Sequence, residues 1–241
     1  MKFTIITVCR NSEKTIRRTI ESVLSQSFMD YEYLIVDGAS TDHTLDIIKE
    51  YSSAFDGRLH WWSAPDKGIY DAMNKGLEMA RGDYIGILNS DDFYEPGAFG
   101  CVNASLEQQP VADVVYGITR YLSADGDEMF LARGGHRFIV EQAPNHESAF
   151  ISRHAYEKCG FYDLNYSLTA DYDHMLRMKK SGMTFRALDE IVLNFVIGGS
   201  SSVYRARWQE ELLRIRFRHG YISRLSYWKA TLRYRIKTLL V

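Results

Sequence analysis

Four clusters of hard oxygen donors punctuate the first hundred residues: Asn11, Asp37-Gly38-Ala39-Ser40-Thr41-Asp42, Asp66-Lys67-Gly68 and Asn89-Ser90-Asp91-Asp92. The last is the sharpest. Paired carboxylates directly after an apolar run suffer desolvation and mutual repulsion unless a cation neutralises them. Oxygen ligands favour Mg²⁺ or Mn²⁺, which take one or two carboxylates together with a substrate's phosphates. Asp91 and Asp92 are the candidate metal ligands. The same run also suits an Asx turn capping the next helix; the neighbouring clusters favour the metal.

The other clusters fit a nucleotide-like ligand. Gly38 permits a tight turn, Ser40 or Asp42 can cap a helix, and Asp37 is then free to accept hydrogen bonds from a base or ribose. Asp66 to Gly76 is unusually polar for a stretch that opens an amphipathic helix, and a helix N-terminus beside Lys67 and Gly68 suits a diphosphate. The alternative is a solvated helix start with Asp66 as its cap and Asn74 and Lys75 in water. Further on, Asp171 and Asp173 open another helical stretch. At about 100° per residue they point nearly opposite ways, so one can face a cleft while the other caps or is solvated. A carboxylate facing a bound ligand could take the proton from an attacking hydroxyl; both also read as capping residues. His146 and Glu147 fit a structural role as well as a catalytic one.

These clusters need a scaffold that gathers them. Phe3–Val8 is a continuous apolar, β-branched run, the pattern of a strand buried on both faces. Ile16, Ile20, Val23 and Leu24 recur at helical spacing. Tyr33–Val36, Leu59–Trp62 and Tyr84–Leu88 read as further strands. Helices lie between them: Leu45, Ile48 and Tyr51 share one face, and Ile69, Met73, Leu77 and Ala80 another, with Gly82 to end it. Pro96 suits the first turn of a helix after the fourth strand. Strands alternating with helices imply right-handed crossovers and a mainly parallel sheet, whose ligands bind at the carboxyl ends of the strands. Each polar cluster follows one strand, so the clusters form one site. Later, Asp113–Tyr116 reads as a strand and Arg120–Leu122 with Met129–Leu131 as a hairpin around Asp125-Gly126. Helices are expected at Arg153–Cys159 and Asp171–Lys180, each stopped by a glycine.

The chain has 241 residues, 46% hydrophobic and 25% charged, enough for one sizeable α/β domain. The net charge of -2 is unevenly spread. From Arg205 onward ten Lys/Arg face two acids, a net of +8, which leaves -10 for the first 204 residues. The basic stretch interleaves its charges with Trp208, Leu212, Ile215, Tyr221, Leu225 and Trp228, which suits an anionic membrane surface; a helix packed on the domain is the plainer reading. No nucleic-acid-binding motif accompanies this charge. Cys9, Cys101 and Cys159 are widely spaced without a CxxC pair, which argues against a disulfide framework or zinc site and for a reducing cytoplasm. Neither a signal-peptide pattern nor an apolar run of about eighteen residues is present.

Taken together, the motifs resemble those of family 2 glycosyltransferases with the GT-A fold, especially bacterial enzymes of capsule, colanic-acid and O-antigen assembly. The resemblance rests on Ile5-Ile6-Thr7-Val8 with Asn11, Ile35 to Thr44, Asp66 to Gly76, Leu88-Asn89-Ser90-Asp91-Asp92, His146-Glu147-Ser148, Ala170-Asp171-Tyr172-Asp173 and Gly198-Gly199-Ser200-Ser201. It implies inverting, metal-dependent sugar transfer from a nucleotide-diphosphate donor, a UDP- or GDP-sugar, to a commonly lipid-linked saccharide. Thr7, Asp37 and Asp66 are then expected to touch the nucleoside, with Arg10, Asn11, Ser40, Lys67, Gly68, Asn74, Asn89 and Ser90 completing the donor site. Asp91 matches the metal-binding member of the family's DxD motif, and Asp171 its base. His146, Glu147 and Asp173 fall on the acceptor side. Two departures stand out: Asn89 replaces the first aspartate of DxD, where Asp92 can compensate, and Ala170 stands where many relatives carry an acid.

The expected architecture is a Rossmann-like, mainly parallel sheet flanked by helices. Residues 1–204 form one GT-A domain, with a nucleotide-sugar half (1–118) and an acceptor-side half (119–204). A basic amphipathic helical tail, 205–241, follows, and the protein is expected in the cytoplasm or peripherally on the inner face of the membrane. The rival from another class is a nucleotide-sugar-binding protein without catalysis, its metal site damaged at Asn89. A nucleotidyltransferase would need a glycine-rich, lysine-bearing loop after the first strand, and Cys9-Arg10-Asn11-Ser12-Glu13 is nothing like one.

Overall fold

The computed structural model describes residues 1–108, 110–198 and 205–239. Of the Gly198-Gly199-Ser200-Ser201 motif, the last three residues lie outside the described residues. Among the described residues nine strands form a single sheet in the order β3-β2-β1-β4-β8-β6-β9-β5, with β7 pairing β6 off this path. Strands β1 (Phe3–Cys9), β2 (Tyr31–Asp37), β3 (Leu59–Ser63) and β4 (Tyr84–Asn89) are mutually parallel. Every residue of β1 and β2 is buried, as expected for strands covered on both faces.

Side chains alternate along β1 and divide the core in two. Ile6 and Val8 pack under α3 (Ile69–Met79), α5 (Arg153–Cys159) and α6 (Ala170–Lys180), with Met73, Leu77 and Met175. Phe3, Ile5 and Cys9 pack under α1 (Ile16–Leu24), α2 (Thr44–Tyr51) and α4 (Ala98–Leu106), with Ile20, Ile48 and Phe99. The register matters more than the packing for function. Cys9 pairs with Asp37, Asp37 with Ser63, and Val8 with Asn89. All four parallel strands therefore end in one row, and their polar successors emerge side by side.

Beyond β4 the sheet departs from simple alternation. The sequence suggested a short strand and a separate hairpin arm; the structure has one strand, β6 (Val114–Leu122), that pairs β7 (Glu128–Ala132) through its second half. Three strands were not anticipated: β5 (Phe93–Tyr94), β8 (Ala149–Ser152) and the twelve-residue β9 (Phe185–Val196). β9 runs parallel to β6 and antiparallel to β5, which returns its end to the carboxyl edge of β4. Pro96 lies just before the N-cap of α4, Gly97, whose φ of 80° demands glycine. The cap of α3 is Gly68 (φ 121°) rather than Asp66, which accepts a hydrogen bond from the Gly68 N–H two residues on.

The expected division of the chain also changes. The boundary at 118/119 falls inside β6. Of the basic tail, the first helix, α7 (Arg205–Arg218), belongs to the core: Leu212 is 8% and Ile215 0% exposed, both among the residues under α6. Its arginines are largely engaged, Arg214 with the Asn165 carbonyl, Arg216 with the Val140 carbonyl and Arg218 with Asp163. Only α8 (Arg224–Leu239) holds large apolar side chains well out in solvent, Leu225 and Trp228. Among the described residues no helix is long and apolar enough to cross a membrane.

Two glycines separate close approach from open space. A Cβ on Gly82 would lie 2.4 Å from the Thr4 backbone nitrogen and 2.5 Å from the Phe3 carbonyl carbon, which cannot move aside. A Cβ on Gly100, inside α4, would meet nothing within 4 Å. Gly82→Ala is expected to destabilise by about 3 kcal/mol through overpacking. Gly100→Ala is expected to stabilise by about 0.5–1 kcal/mol through helix propensity and unfolded-state entropy. Urea unfolding of both variants checks the pair.

Candidate active site

A cleft of about 1350 Å³ opens along the row of strand ends. On the side of β1 and β2 its wall is knitted by side chain to backbone bonds. Asn11 holds a left-handed conformation (φ 53°); its Oδ1 accepts the Thr41 N–H and its own N–H donates to Ser40 Oγ. Asp42 accepts the N–H groups of Glu13 and Thr44, fastening the loop after β1 to α2. Asp37 is fully buried, accepting from the Ser40 N–H, the Ser40 hydroxyl and the Ser63 hydroxyl (2.6 Å). Thr7, also 0% exposed, accepts the Tyr33 hydroxyl at 2.9 Å. Expected to touch a ligand, Thr7 and Asp37 instead lie beneath the turn that forms the wall.

Asp66 does reach the cleft, with Arg10, Asn11 and Gly68. Its Oδ2 occupies the space a Cβ on Gly38 would fill, 2.3 Å away, so glycine at 38 admits the carboxylate. Three further expected donor residues are elsewhere. Ser40 lies outside the cleft lining, its hydroxyl donating to Asp37 and accepting the Asn11 N–H. Lys67 is exposed and outside the cleft lining. Asn74 exchanges two hydrogen bonds with the backbone of Tyr162, donating to its carbonyl and accepting its N–H, and so clasps α3 to the loop after α5.

The turn after β4 carries Asn89, Ser90, Asp91 and Asp92, and its two carboxylates differ in kind. Asp92 is 1% exposed; its Oδ1 accepts the Val196 N–H at 2.7 Å and its carbonyl accepts the Thr19 hydroxyl. Glu147 is equally buried, and its Oε1 accepts the Asn89 N–H at 2.8 Å. Burial pushes both up, with repulsion from Asp91 added for Asp92 and repulsion from Asp92 for Glu147, Asp92 to about 7 and Glu147 well above its ordinary value, so the pair retains a proton. Asp92 and Glu147 prop the turn from behind, which removes Asp92 from the expected metal-ligand pair and Glu147 from the acceptor side. Asp91 is the contrast. Burial raises it too, outweighing its own N–H and the charge of Arg18, which donates to the Asp91 carbonyl; no other described residue hydrogen-bonds or ion-pairs with the carboxylate. The Asn89 Oδ1 is also buried without a partner. One unspent carboxylate beside one orphaned amide oxygen is too few donors for a closed metal site, and no cluster of three ligating acids, histidines or cysteines exists among the described residues. The pair does fit a cation that draws most of its ligands from phosphates and water.

The opposite wall carries the other carboxylate. Asp171, in the first turn of α6, accepts the Tyr70 hydroxyl at 2.6 Å, and its Oδ2 lies 3.3 Å from His146 Nδ1. Burial works to raise Asp171, but His146 and Tyr70 outweigh it and hold the carboxyl below its usual range. The helical rotation predicted from Asp171 to Asp173 holds, with an unexpected outcome for Asp173. It faces away from the cleft, 2% exposed, and pairs with Arg177 at 2.8 Å and His219 Nε2 at 2.8 Å, neither capping nor solvated nor near an acceptor.

With this geometry in view, sequence comparison is decisive: residues 4–164 match the family model for glycosyl transferase family 2. The chain belongs to that family. A PGL/p-HBAD biosynthesis glycosyltransferase of Mycobacterium tuberculosis is 31% identical over 180 residues, covering 73% of this chain and 68% of that protein. The fold likewise matches family structures. Staphylococcus aureus TarS 1–349 in complex with UDP-GlcNAc superposes with a TM-score of 0.74 at 20% identity, over 89% of this chain and 65% of that one. A mannosyltransferase from Pyrobaculum calidifontis in complex with GDP-Man and Mn²⁺ gives 0.72 at 16% identity, over 92% and 65%. The chain thus spans just under two thirds of each of those structures. The mainly parallel sheet flanked by helices is the GT-A fold, as the motifs implied.

Sequence reasoning missed Tyr70, although its hydroxyl touches the very carboxylate singled out as the base. It also missed Glu211. That α7 carboxylate is 6% exposed and accepts the Ser167 N–H, the Ser167 hydroxyl, the Leu168 N–H and the Thr169 hydroxyl at 2.9–3.0 Å. Thr169 is the N-cap of α6, two residues before Asp171. Glu211→Ala would orphan those buried donors and is expected to cost about 2–4 kcal/mol in urea unfolding, with Glu211→Gln recovering part of the loss.

Proposed function

We propose that this family 2 enzyme inverts configuration as it moves a sugar from a UDP- or GDP-sugar to a hydroxyl of a lipid-linked saccharide in bacterial surface polysaccharide synthesis. One observation carries the reading. A single cleft has an unspent carboxylate, Asp91, on its strand-end side and an ionised, partnered carboxylate, Asp171, on the facing helix. Direct displacement at an anomeric carbon needs those two parts, one at the leaving group and one at the incoming hydroxyl. A double displacement would need two carboxylates flanking the sugar, and Asp92 and Glu147 are committed to the turn.

The nucleoside would lie against Arg10, Asn11 and Asp66, with Thr7, Asp37 and Ser40 shaping the wall from beneath. The α3 N-terminus at Gly68 offers its N–H groups to the diphosphate. Asp91, with the Asn89 amide oxygen beside it, would hold Mg²⁺ or Mn²⁺, which when bound offsets the negative charge that develops on the departing diphosphate. Asp171 takes the acceptor proton. Its depressed pKa keeps it ionised at neutral pH, and Tyr70 with His146 fixes which oxygen lone pairs face the cleft. The exposed Leu225 and Trp228 of α8, beside Arg224 and Lys229, support peripheral association with an anionic membrane, where lipid-linked acceptors reside.

Nucleotide release from a panel of UDP- and GDP-sugars with Mn²⁺ tests this. Asp91→Ala and Asp171→Asn are each expected to lower release by about 10²–10⁴-fold, and EDTA to abolish it. Unchanged release in both variants overturns the assignment.

His146 supplies a test by pH. Asp171 acts ionised, and its pKa is held low, so the acidic limb of kcat/KM should lie below the ordinary carboxylate range. In His146→Gln the imidazole that favours the ionised carboxyl is gone while burial persists, so that limb is expected to move to higher pH by about one unit. A pH–rate profile of the two proteins reads it directly.

A further inference from the structure

The two halves of the cleft differ in chemistry. Arg10, Ser12, Asp66, Ser90 and Asp91 make one half polar and charged. Past Asp171 the lining gains an apolar stretch, Leu168, Tyr172, Met175, Trp208 and Leu212, bordered by Glu141, Gln142 and Arg216. A diphosphate and its cation make no use of such a stretch, and the transfer reading places the nucleoside against the opposite wall. Two of these side chains come from α7, the helix that the charge pattern had assigned to a tail.

We propose that Trp208 is the acceptor platform: its indole stacks against the apolar face of the saccharide ring that carries the accepting hydroxyl. The proposal rests on the transfer reading given above. Trp208 and Leu212 are one turn apart on the same face of α7. Leu212 is buried in the core, whereas Trp208 packs against that core and remains partly exposed to the cleft. The helix cannot slide, because Glu211 is bound to the 167–169 segment and Arg216 donates to the Tyr172 hydroxyl and the Val140 carbonyl. The same Glu211 contacts set the start of α6, so the indole and Asp171 are positioned against one segment. A pyranose presents axial C–H groups on one face and hydroxyls at its rim, and an aromatic ring lining the same cleft as a carboxylate matches that division. Trp208 then sets which acceptors bind, and Asp171 which hydroxyl reacts.

Saturation-transfer NMR tests this on the full chain with Mn²⁺ and whichever of UDP or GDP raises its thermal midpoint. The probes are methyl β-D-glucopyranoside, methyl β-D-galactopyranoside and methyl α-D-mannopyranoside. The expected result is saturation of the C–H protons on one ring face of at least one probe. Trp208→Leu, which keeps the apolar volume, should reduce that signal about fivefold to tenfold, while Trp208→Tyr should retain most of it. Trp208→Gln reads the same loss should the leucine variant not fold, and a nucleotide-dependent thermal shift identifies the folded variants. An unchanged signal without the indole overturns the platform, as does a wild type that binds nucleotide and saturates none of the probes. A wild type that neither binds nucleotide nor releases it from any donor removes the transfer reading itself, a distinct outcome.

Discussion

A sheet edge that collects carboxylates must deal with the cost of taking each of them out of water, and this site uses a different device for each. Asp37 and Asp42 are compensated by backbone and hydroxyl donors, partly from their own turns and partly from Ser63 at the end of β3 and Glu13 after β1. Asp92 and Glu147 are pressed together and keep a proton. Asp171 stays ionised against burial because a histidine and a tyrosine face it. Asp91 alone draws no hydrogen bond or ion pair to its carboxylate from another described residue; its own N–H and the Arg18 charge act against its burial without overcoming it. Burial without compensation is expensive for a carboxylate, so the one acid left unserved is the one that calls for an external cation. The chemistry proposed for the cleft follows from this sorting more than from the number of acids present.

The sorting explains which parts of the site were legible in the sequence. Strand ends were, because an apolar run followed by a polar cluster is a local pattern, and parallel register then aligns Cys9, Asp37, Ser63 and Asn89 without further instruction. The opposition of Asp171 and Asp173 was also legible, since helical rotation is local. What each acid does was not. Asp173 is claimed by His219, forty-six positions away, and Asp92 by the backbone of Val196, more than a hundred positions away. Thr7 and Asp37 carry the polar types a ligand site uses, yet sit one layer below it. Residue type marks the neighbourhood, and only tertiary partners assign the task.

The strands that escaped detection have the same origin. β8 contributes four residues and β5 two, too few for any period to show. β9 has twelve, but its LDEIVLNFV stretch mixes acids into an apolar run because its pairing changes along its length, from β6 alone to β6 and β5. That change of partner gives β9 its function. By pairing with β5, just after the turn that follows β4, it delivers the Val196 N–H to Asp92, so that turn depends on a strand from the far half of the chain.

The asparagine at position 89 fits this arrangement better than a damaged-motif reading allows. Its N–H donates to Glu147, its carbonyl accepts the Asp92 N–H, and its side chain sits beside carboxylates already short of compensation. An aspartate there would add a fourth acid to Asp91, Asp92 and Glu147 and raise the cost of the empty cleft. A neutral amide still offers an oxygen to a hard cation while leaving Asp91 as the single charged ligand. Under the proposed function this lowers affinity for the free ion and shifts the burden to the diphosphate, so that metal and donor would bind together. The loss of one acid is then a change in what recruits the cation, and the base on the opposite wall is untouched by it.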